Sequence, residues 1–341
     1  MKKLSFLYLL LIVPLVSVFG FAGCGSVGNN EKETVRLCEV THSIFYAPLY
    51  IAINKGFFED EGLQIELTNG NGSNNVMTAL LSNSADVGLA GPETSVYTGL
   101  QSAGSTPKVF GQLTACDGSF LVGQKTEEAF DLEDLRGKTI IGGRRGGMPA
   151  MTLQYALHLA GLENNVVYTL NLDYEFGMVA SVYDSGIGDY CTMFEPAASN
   201  YVASKIDQQI LASIGKLGGS VPYTAFIASD EWLTQNTLRA ERFLRAVYRG
   251  YLYLVNKDIN DVVNALKPSF DGSSDESIKV SVQNYLEINA FASTPVMSEE
   301  GFNRLIDIIK FAGELDNSTT INFNNVCTNT YAQRCVEYFG A

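Results

Sequence analysis

Short alternating apolar runs and longer stretches of helical spacing take turns along this chain from residue 35 to residue 229, after which helical spacing prevails. Val35–Val40 alternates as a strand does. Ala47–Asn54 then sets Leu49, Tyr50 and Ile53 on one helical face, with Gly56 as its C-terminal cap, and Gln64–Leu67 resumes the alternation. The pattern goes on to predict a helix over Asn75–Leu81, a buried strand over Ala85–Ala90 and a helix over Glu93–Ala103 entered through Pro92. Strands follow over Lys108–Thr114 and Ser119–Gly123, then a turn and strand within Asp134–Gly143. A helix over Ala150–Leu159, a strand over Val166–Leu170 and a helix over Tyr174–Tyr183 come next. Asp189–Phe194 is again a strand, Glu195-Pro196 opens a helix running through Ala203, and Gln209–Ile214 and Val221–Ser229 are strands. Ala240–Asn256, Ile259–Leu266, Glu276–Leu286 and Glu299–Phe311 are helices.

Strands alternating with helices imply α/β architecture. The links at Ala115–Gly118 and Val221–Ser229 read as two crossings between lobes. The expected fold class is therefore α/β, with two mostly parallel-sheet lobes, a ligand cleft between them and the C-terminal helices on the first lobe. Lobe 1 is expected to comprise residues 34–118 and 222–341, and lobe 2 residues 119–221. A chain of 341 residues is long enough for two such cores. The tail Asn317–Ala341 is polar with scattered aromatics, and its pattern assigns it no role.

Open α/β sheets hold ligands in the loops beyond the carboxyl ends of their strands. Thr41–Tyr46 is such a loop, and His42, Ser43, Phe45 and Tyr46 are candidates on it. Gly72 and Ser73, in the turn Asn69–Asn75, offer backbone amides at a helix start; an ordinary N-cap is the alternative. Glu93 stands at the start of the next helix. In Arg144-Arg-Gly-Gly-Met-Pro, glycines Gly146 and Gly147 allow close backbone approach, and Arg144 presents a two-pronged donor for a carboxylate, sulfonate or phosphate. Solvent exposure or pairing with an acid is the bland alternative for that arginine.

Composition narrows the class. Apolar residues make up 46% and charged residues 18%, as in a folded protein, and 37 acidic against 23 basic residues give a net charge of −14. With no basic tract, nucleic acid is not an expected partner. Lys2-Lys3, the apolar Leu4–Val18 and Phe21-Ala22-Gly23-Cys24 read as a leader over residues 1–23, followed by a linker over 24–33. A plain signal peptide or an anchoring helix is the alternative, but the Gly-Cys junction before a polar linker favours lipidation at Cys24 and thus a membrane anchor on the outward face. Five further cysteines leave at least one unpaired, and Cys327 with Cys335 is the nearest pair for a disulfide. With only His42 and His158 and no C-x-x-C, no metal and no cofactor are expected.

The segments Phe45-Tyr-Ala-Pro-Leu-Tyr, Lys55-Gly-Phe-Phe and Glu61-Gly-Leu resemble the solute-binding proteins of ABC importers for nitrate, aliphatic sulfonates, taurine and thiamine-precursor pyrimidines. Asp86-Val-Gly-Leu-Ala-Gly-Pro-Glu, Asp134-Leu-Arg-Gly-Lys-Thr-Ile-Ile-Gly-Gly and Gly188-Asp-Tyr-Cys-Thr-Met-Phe-Glu-Pro extend the likeness over most of residues 35–255. The resemblance implies a small-molecule solute, an importer permease as partner, and hinge closure about the solute. Carried over by position, it implicates Asp189, Tyr190 and Glu195. Phe45, Tyr46, Tyr190 and Tyr223 then line or sandwich a planar solute, while Arg144, Glu195 and Ser43 fix its polar groups. An acid beside a base suits a pyrimidine-like or other organic nitrogen compound; aliphatic sulfonate, taurine or nitrate is the alternative. Some relatives on this fold resemble pyrimidine synthases that consume a histidine and depend on a cysteine-rich motif. That motif is absent here, where Cys191 stands alone, so His42 is the one residue that keeps an enzyme in view and no catalytic role is expected.

Overall fold

In a computed structural model of the chain the described residues are 32–101 and 106–340. The expected leader, Cys24 and most of the linker lie outside them. The strands are β1 (Glu33–Glu39), β2 (Leu63–Asn69), β3 (Val87–Ala90), β4 (Lys108–Thr114), β5 (Ser119–Gln124), β6 (Thr139–Ile141), β7 (Thr169–Asn171), β8 (Tyr190–Phe194), β9 (Gln208–Ser213) and β10 (Thr224–Ala228). They form two five-stranded sheets, ordered β2-β1-β3-β10-β4 and β7-β6-β8-β5-β9. In the first, β1 runs parallel to β2 and β3 while β10 runs against β3 and β4. In the second, β6 runs parallel to β7 and β8 while β5 runs against β8 and β9. Each sheet thus has one reversed strand, and it is the first strand made after the chain crosses from the other sheet.

The two crossings are tied together. The Val221 amide donates to the Ala115 carbonyl at 2.8 Å and the Tyr223 amide to the Thr114 carbonyl at 3.2 Å. The Ala115 amide donates in turn to Ala290, just past the helix Asp275–Glu287, at 2.7 Å. Asp117, buried at the first crossing, accepts from the Ser119 amide and hydroxyl at 2.6 Å and from the Thr152 hydroxyl. Burial pushes its carboxyl above the usual range.

The long helix Thr237–Asn256 packs across the helix Ala47–Asn54 and the first sheet. Its arginines pair in sequence with the acids of the opening unit: Arg239 and Arg242 with Glu33, Arg245 with Glu61, and Arg249 with Asp60. The tail, unassigned by its pattern, is also part of this layer. It forms helices Phe323–Val326 and Thr330–Phe339, and burial of Tyr331, Ala332 and Cys335 explains its scattered apolar residues. Cys327 and Cys335 are separate buried thiols, so the expected disulfide is not formed; Cys327 lies against β4, bridged to Val109, while Cys335 faces inward from the last helix.

Two further expectations need revision. The strand expected at Val166–Leu170 shrinks to Thr169–Asn171, with Val166 82% exposed. The helix expected over Tyr174–Tyr183 starts as a 3-10 turn, Phe176–Met178, before Val179–Asp184 becomes α-helical.

Where the helix Thr237–Asn256 crosses the helix Ala47–Asn54, a Cβ on Gly250 would lie 2.0 Å from the Pro48 carbonyl oxygen, so only glycine permits this approach. Gly250→Ala is expected to lower the unfolding free energy by about 1–3 kcal/mol, read as a fall in the urea midpoint.

Candidate ligand site

A cavity of about 560 Å³ lies between the two sheets. Its first wall is made by segments after β1 (His42–Tyr46), β2 (Asn71–Ser73) and β3 (Gly91, Glu93), with Tyr223 and Thr224 at the crossing. The second is made by segments after β6 (Arg144, Gly147–Pro149) and β7 (Glu175–Ala180) and by the end of β8 (Thr192–Ala197). Helices beginning at Ser73, Glu93, Met148 and Ala197 all start at this wall. Their free amide ends place partial positive charge around the space.

Aromatic rings set its floor. Phe45, 1% exposed, meets Phe194 at 5.5 Å and Tyr285 at 5.0 Å between ring centroids, and Tyr223 edge-on at 5.7 Å. Phe176 packs edge-on against Phe194 at 4.9 Å. Gly143 makes room for it, because a Cβ there would come within 2.9 Å of the Phe176 ring.

His42 lines the cavity with both ring nitrogens engaged. Nδ1 faces Glu39 Oε1 at 2.8 Å and Nε2 faces the Ser269 carbonyl at 2.7 Å; a carbonyl only accepts, so Nε2 carries a proton. Glu39, buried, also takes the Tyr50 hydroxyl. The hydrogen bond to Glu39 holds the His42 pKa above its ordinary value, against the opposing effect of burial. Neither nitrogen is left for proton transfer to a solute.

Ser43 and Glu195 join the walls. The Ser43 hydroxyl donates to the Glu195 carbonyl at 3.0 Å, and the Glu195 amide donates to the Tyr285 hydroxyl at 2.8 Å. The Glu195 carboxylate accepts from the Ser199 amide at 2.9 Å, the Ser199 hydroxyl at 2.7 Å and the Asn284 side-chain amide at 2.6 Å. It borders the cavity, but its charge is spent on a helix start and on Asn284 of the helix Asp275–Glu287. Arg144 is freer: its nearest carboxylate, Glu175, stands at 3.7 Å and is itself 71% exposed. Glu93 is buried with Oε2 unpartnered, and the Tyr223 hydroxyl in the same wall and the Thr192 hydroxyl in the opposite one also lack partners. The Tyr223 hydroxyl lies beside the Asp117 carboxylate without hydrogen-bond geometry, and burial drives its pKa well up.

Of the residues singled out from the sequence, His42, Ser43, Phe45, Tyr46, Gly72, Ser73, Glu93, Arg144, Gly147, Glu195 and Tyr223 border this cavity. Asp189, Tyr190 and Gly146 do not. β8 borders the cavity only from Thr192 onward, and Tyr190 stands two residues back along the strand, outside the lining. There Asp189 holds the Thr139 amide and pairs with Lys138 at 3.6 Å, and Tyr190 packs on Phe130. Gly146 turns outward at φ +71° toward Glu314. Phe176, Glu175 and Thr192 were missed. Helical spacing concealed the first two, since the turn that brings them in occupies what reads as the first turn of a helix.

A family model described as NMT1/THI5 like matches residues 44–258. The chain belongs to the NMT1/THI5-like family. Among its relatives is YtlA of Bacillus subtilis (strain 168), 36% identical over 325 residues that make up 92% of this chain and 96% of YtlA. The NMT1/THI5-like chain also shares its fold with the periplasmic nitrate-binding protein NrtA from Synechocystis PCC 6803, at 14% identity and TM-score 0.71 over 90% of this chain and 89% of NrtA. The periplasmic aliphatic sulphonate binding protein SsuA from Escherichia coli matches at 15% identity and TM-score 0.67 over 86% of this chain and 96% of SsuA. These structures carry the two-sheet arrangement of periplasmic binding proteins.

Because the folded pKa of His42 is raised above 6.5, its stabilising contribution is complete below that value and is lost as pH rises through the folded pKa. The stability advantage of the wild type over His42→Gln is thus expected to shrink as pH is raised above about 6.5, as followed by thermal unfolding across a pH series.

Proposed function

We propose that this protein is an extracytoplasmic solute receptor of an ABC importer, anchored through a lipid on Cys24. It captures a small organic solute, pyrimidine-like or another nitrogen compound, and delivers it to a membrane permease. The observation that carries this reading is the cavity itself: both walls come from strand carboxyl ends, and it keeps unpaired donors and acceptors among aromatic rings. We take lobe 1 as residues 34–118 and 222–341 and lobe 2 as 119–221. Solute binding then acts by favouring closure about the crossings, through its extra affinity for the closed state. No residue is assigned a catalytic role, and the engagement of both His42 nitrogens supports capture without chemistry.

Aliphatic sulfonate, taurine or nitrate is the second reading. The likeness in fold to a sulphonate-binding protein, SsuA, and a nitrate-binding protein, NrtA, favours it, as do the helix starts around the cavity.

Native mass spectrometry of protein purified from cells tests capture directly, since a bound small solute adds its own mass. Its recovery unaltered after incubation supports a receptor, whereas conversion would argue for an enzyme. Arg144→Ala is expected to weaken solute binding about tenfold or more, while shifting the stability of the empty protein by less than about 0.5 kcal/mol. Calorimetric titration and thermal unfolding of the same variant separate the two effects.

A further inference from the structure

The cavity provides unequally for its two buried acids. Glu195 has three donors on its carboxylate. Glu93 is 4% exposed, and its Oε2 has no partner although the side chain borders the open space. An acid at the first position of a helix is commonplace, because the helix start favours negative charge. The same start leaves this carboxylate incompletely served, since Oε2 receives no donor. The side chain also folds back over the end of β3. A Cβ at Gly91 would lie 2.0 Å from Glu93 Oε2, so a glycine is what lets the carboxylate occupy that place.

The charged and titratable groups facing it are Arg144, whose charge lowers its pKa, and the phenols of Tyr46, Tyr97 and Tyr223. None donates a hydrogen bond to Oε2. Burial pushes the Glu93 carboxyl up to about 7. A buried carboxylate oxygen lacking a donor is costly, and a donor arriving with a solute removes that cost.

Building on the receptor reading, we propose that Glu93 selects the solute by accepting from a cationic or N–H-bearing nitrogen, while the Arg144 loop receives an acceptor or anionic group. The solute class is then an aminated heterocycle or a zwitterion. A bare sulfonate or nitrate sets negative charge against Glu93 and leaves Oε2 unpaired.

Two matched pairs test this: cytosine against uracil, and taurine against ethanesulfonate, with nitrate as the bare anion. They are titrated calorimetrically into the wild type and Glu93→Gln. The amino-bearing member of a pair is expected to bind about tenfold or more tightly than its partner, and Glu93→Gln is expected to erase most of that preference. Equal or tighter binding of ethanesulfonate or nitrate, or a preference untouched by the substitution, overturns the proposal and leaves the receptor reading standing. A second measurement needs no solute. A carboxyl whose folded pKa is raised contributes stability that is full below the ordinary value of 4.5 and lost as pH rises through about 7. Empty wild-type protein should therefore lose more stability between about pH 5 and pH 8 than Glu93→Gln. Coincident pH profiles mean that Oε2 is already satisfied, which also overturns the proposal alone. Cell-purified protein with no bound solute, combined with no binding by any of the five probes, removes the receptor reading and this inference with it.

Discussion

The seat of Phe45 over Gly118 is the constraint on which the arrangement of the two sheets depends. A Cβ at Gly118 would stand 2.5 Å from the Phe45 ring, so the first crossing must be bare at that point for the ring to enter. Once in place, Phe45 touches one aromatic from each part that meets there: Phe194 at the end of β8, Tyr223 on the return crossing and Tyr285 on the helix Asp275–Glu287. Aromatic pairs of this kind contribute about 0.5–1.5 kcal/mol each beyond the area they bury. The junction is thus a packed knot, with the Asp117 carboxylate holding Ser119, just ahead in the chain, and Thr152 of the helix Met148–Leu159. Loops at the carboxyl ends of both sheets are brought face to face across it.

Polar groups near the knot divide into two sets. One set is consumed in joining the protein to itself: His42 bridges Glu39 and the Ser269 carbonyl, Ser43 reaches the Glu195 carbonyl, and Asn284 and Ser199 occupy the Glu195 carboxylate. The other set, Glu93 Oε2 and the Thr192 and Tyr223 hydroxyls, is positioned at the walls without partners, and Arg144 is held there only by the exposed Glu175 and the Arg145 carbonyl. The division bears directly on chemistry. Groups that complete one another stabilise the fold and are unavailable to a guest, whereas unsatisfied groups at an open space give a guest its binding energy. By that criterion the charge opposing Arg144 belongs to Glu93 rather than to Glu195.

Much of the architecture was legible from local pattern. β1, the helix Ala47–Asn54 and β2 follow the alternation and helical spacing of their residues, and the first crossing falls at the short link Ala115–Gly118, while the return runs from β9 through the short helix Ile214–Gly218 to β10. The site was legible where it lies on loops between such elements, as with His42–Tyr46, Gly72-Ser73 and Arg144. Asp189 and Tyr190 show why adjacency in sequence is a poor guide to a cleft. They stand beside the strand that delivers Phe194 and Glu195, but at its far end. The tail was illegible because its few apolar residues acquire meaning only against the helix Thr237–Asn256 and β4, which are distant in sequence.

The sequence by itself determined the order of strands and helices, the places where the chain crosses, and the loops on which polar and aromatic side chains gather, because backbone preference and apolar period act over a few residues at a time. Tertiary structure alone decided which of those side chains remain unpaired. Glu93 and Glu195 are both acids at helix starts, and Glu195 draws two of its three donors from Ser199, four residues on. One meets Asn284, 89 residues away in the chain, while the other meets only the cavity. Hydrogen-bond satisfaction is a property of what packs opposite a group, and that partner is fixed only when both sheets and the C-terminal helices have closed around the junction.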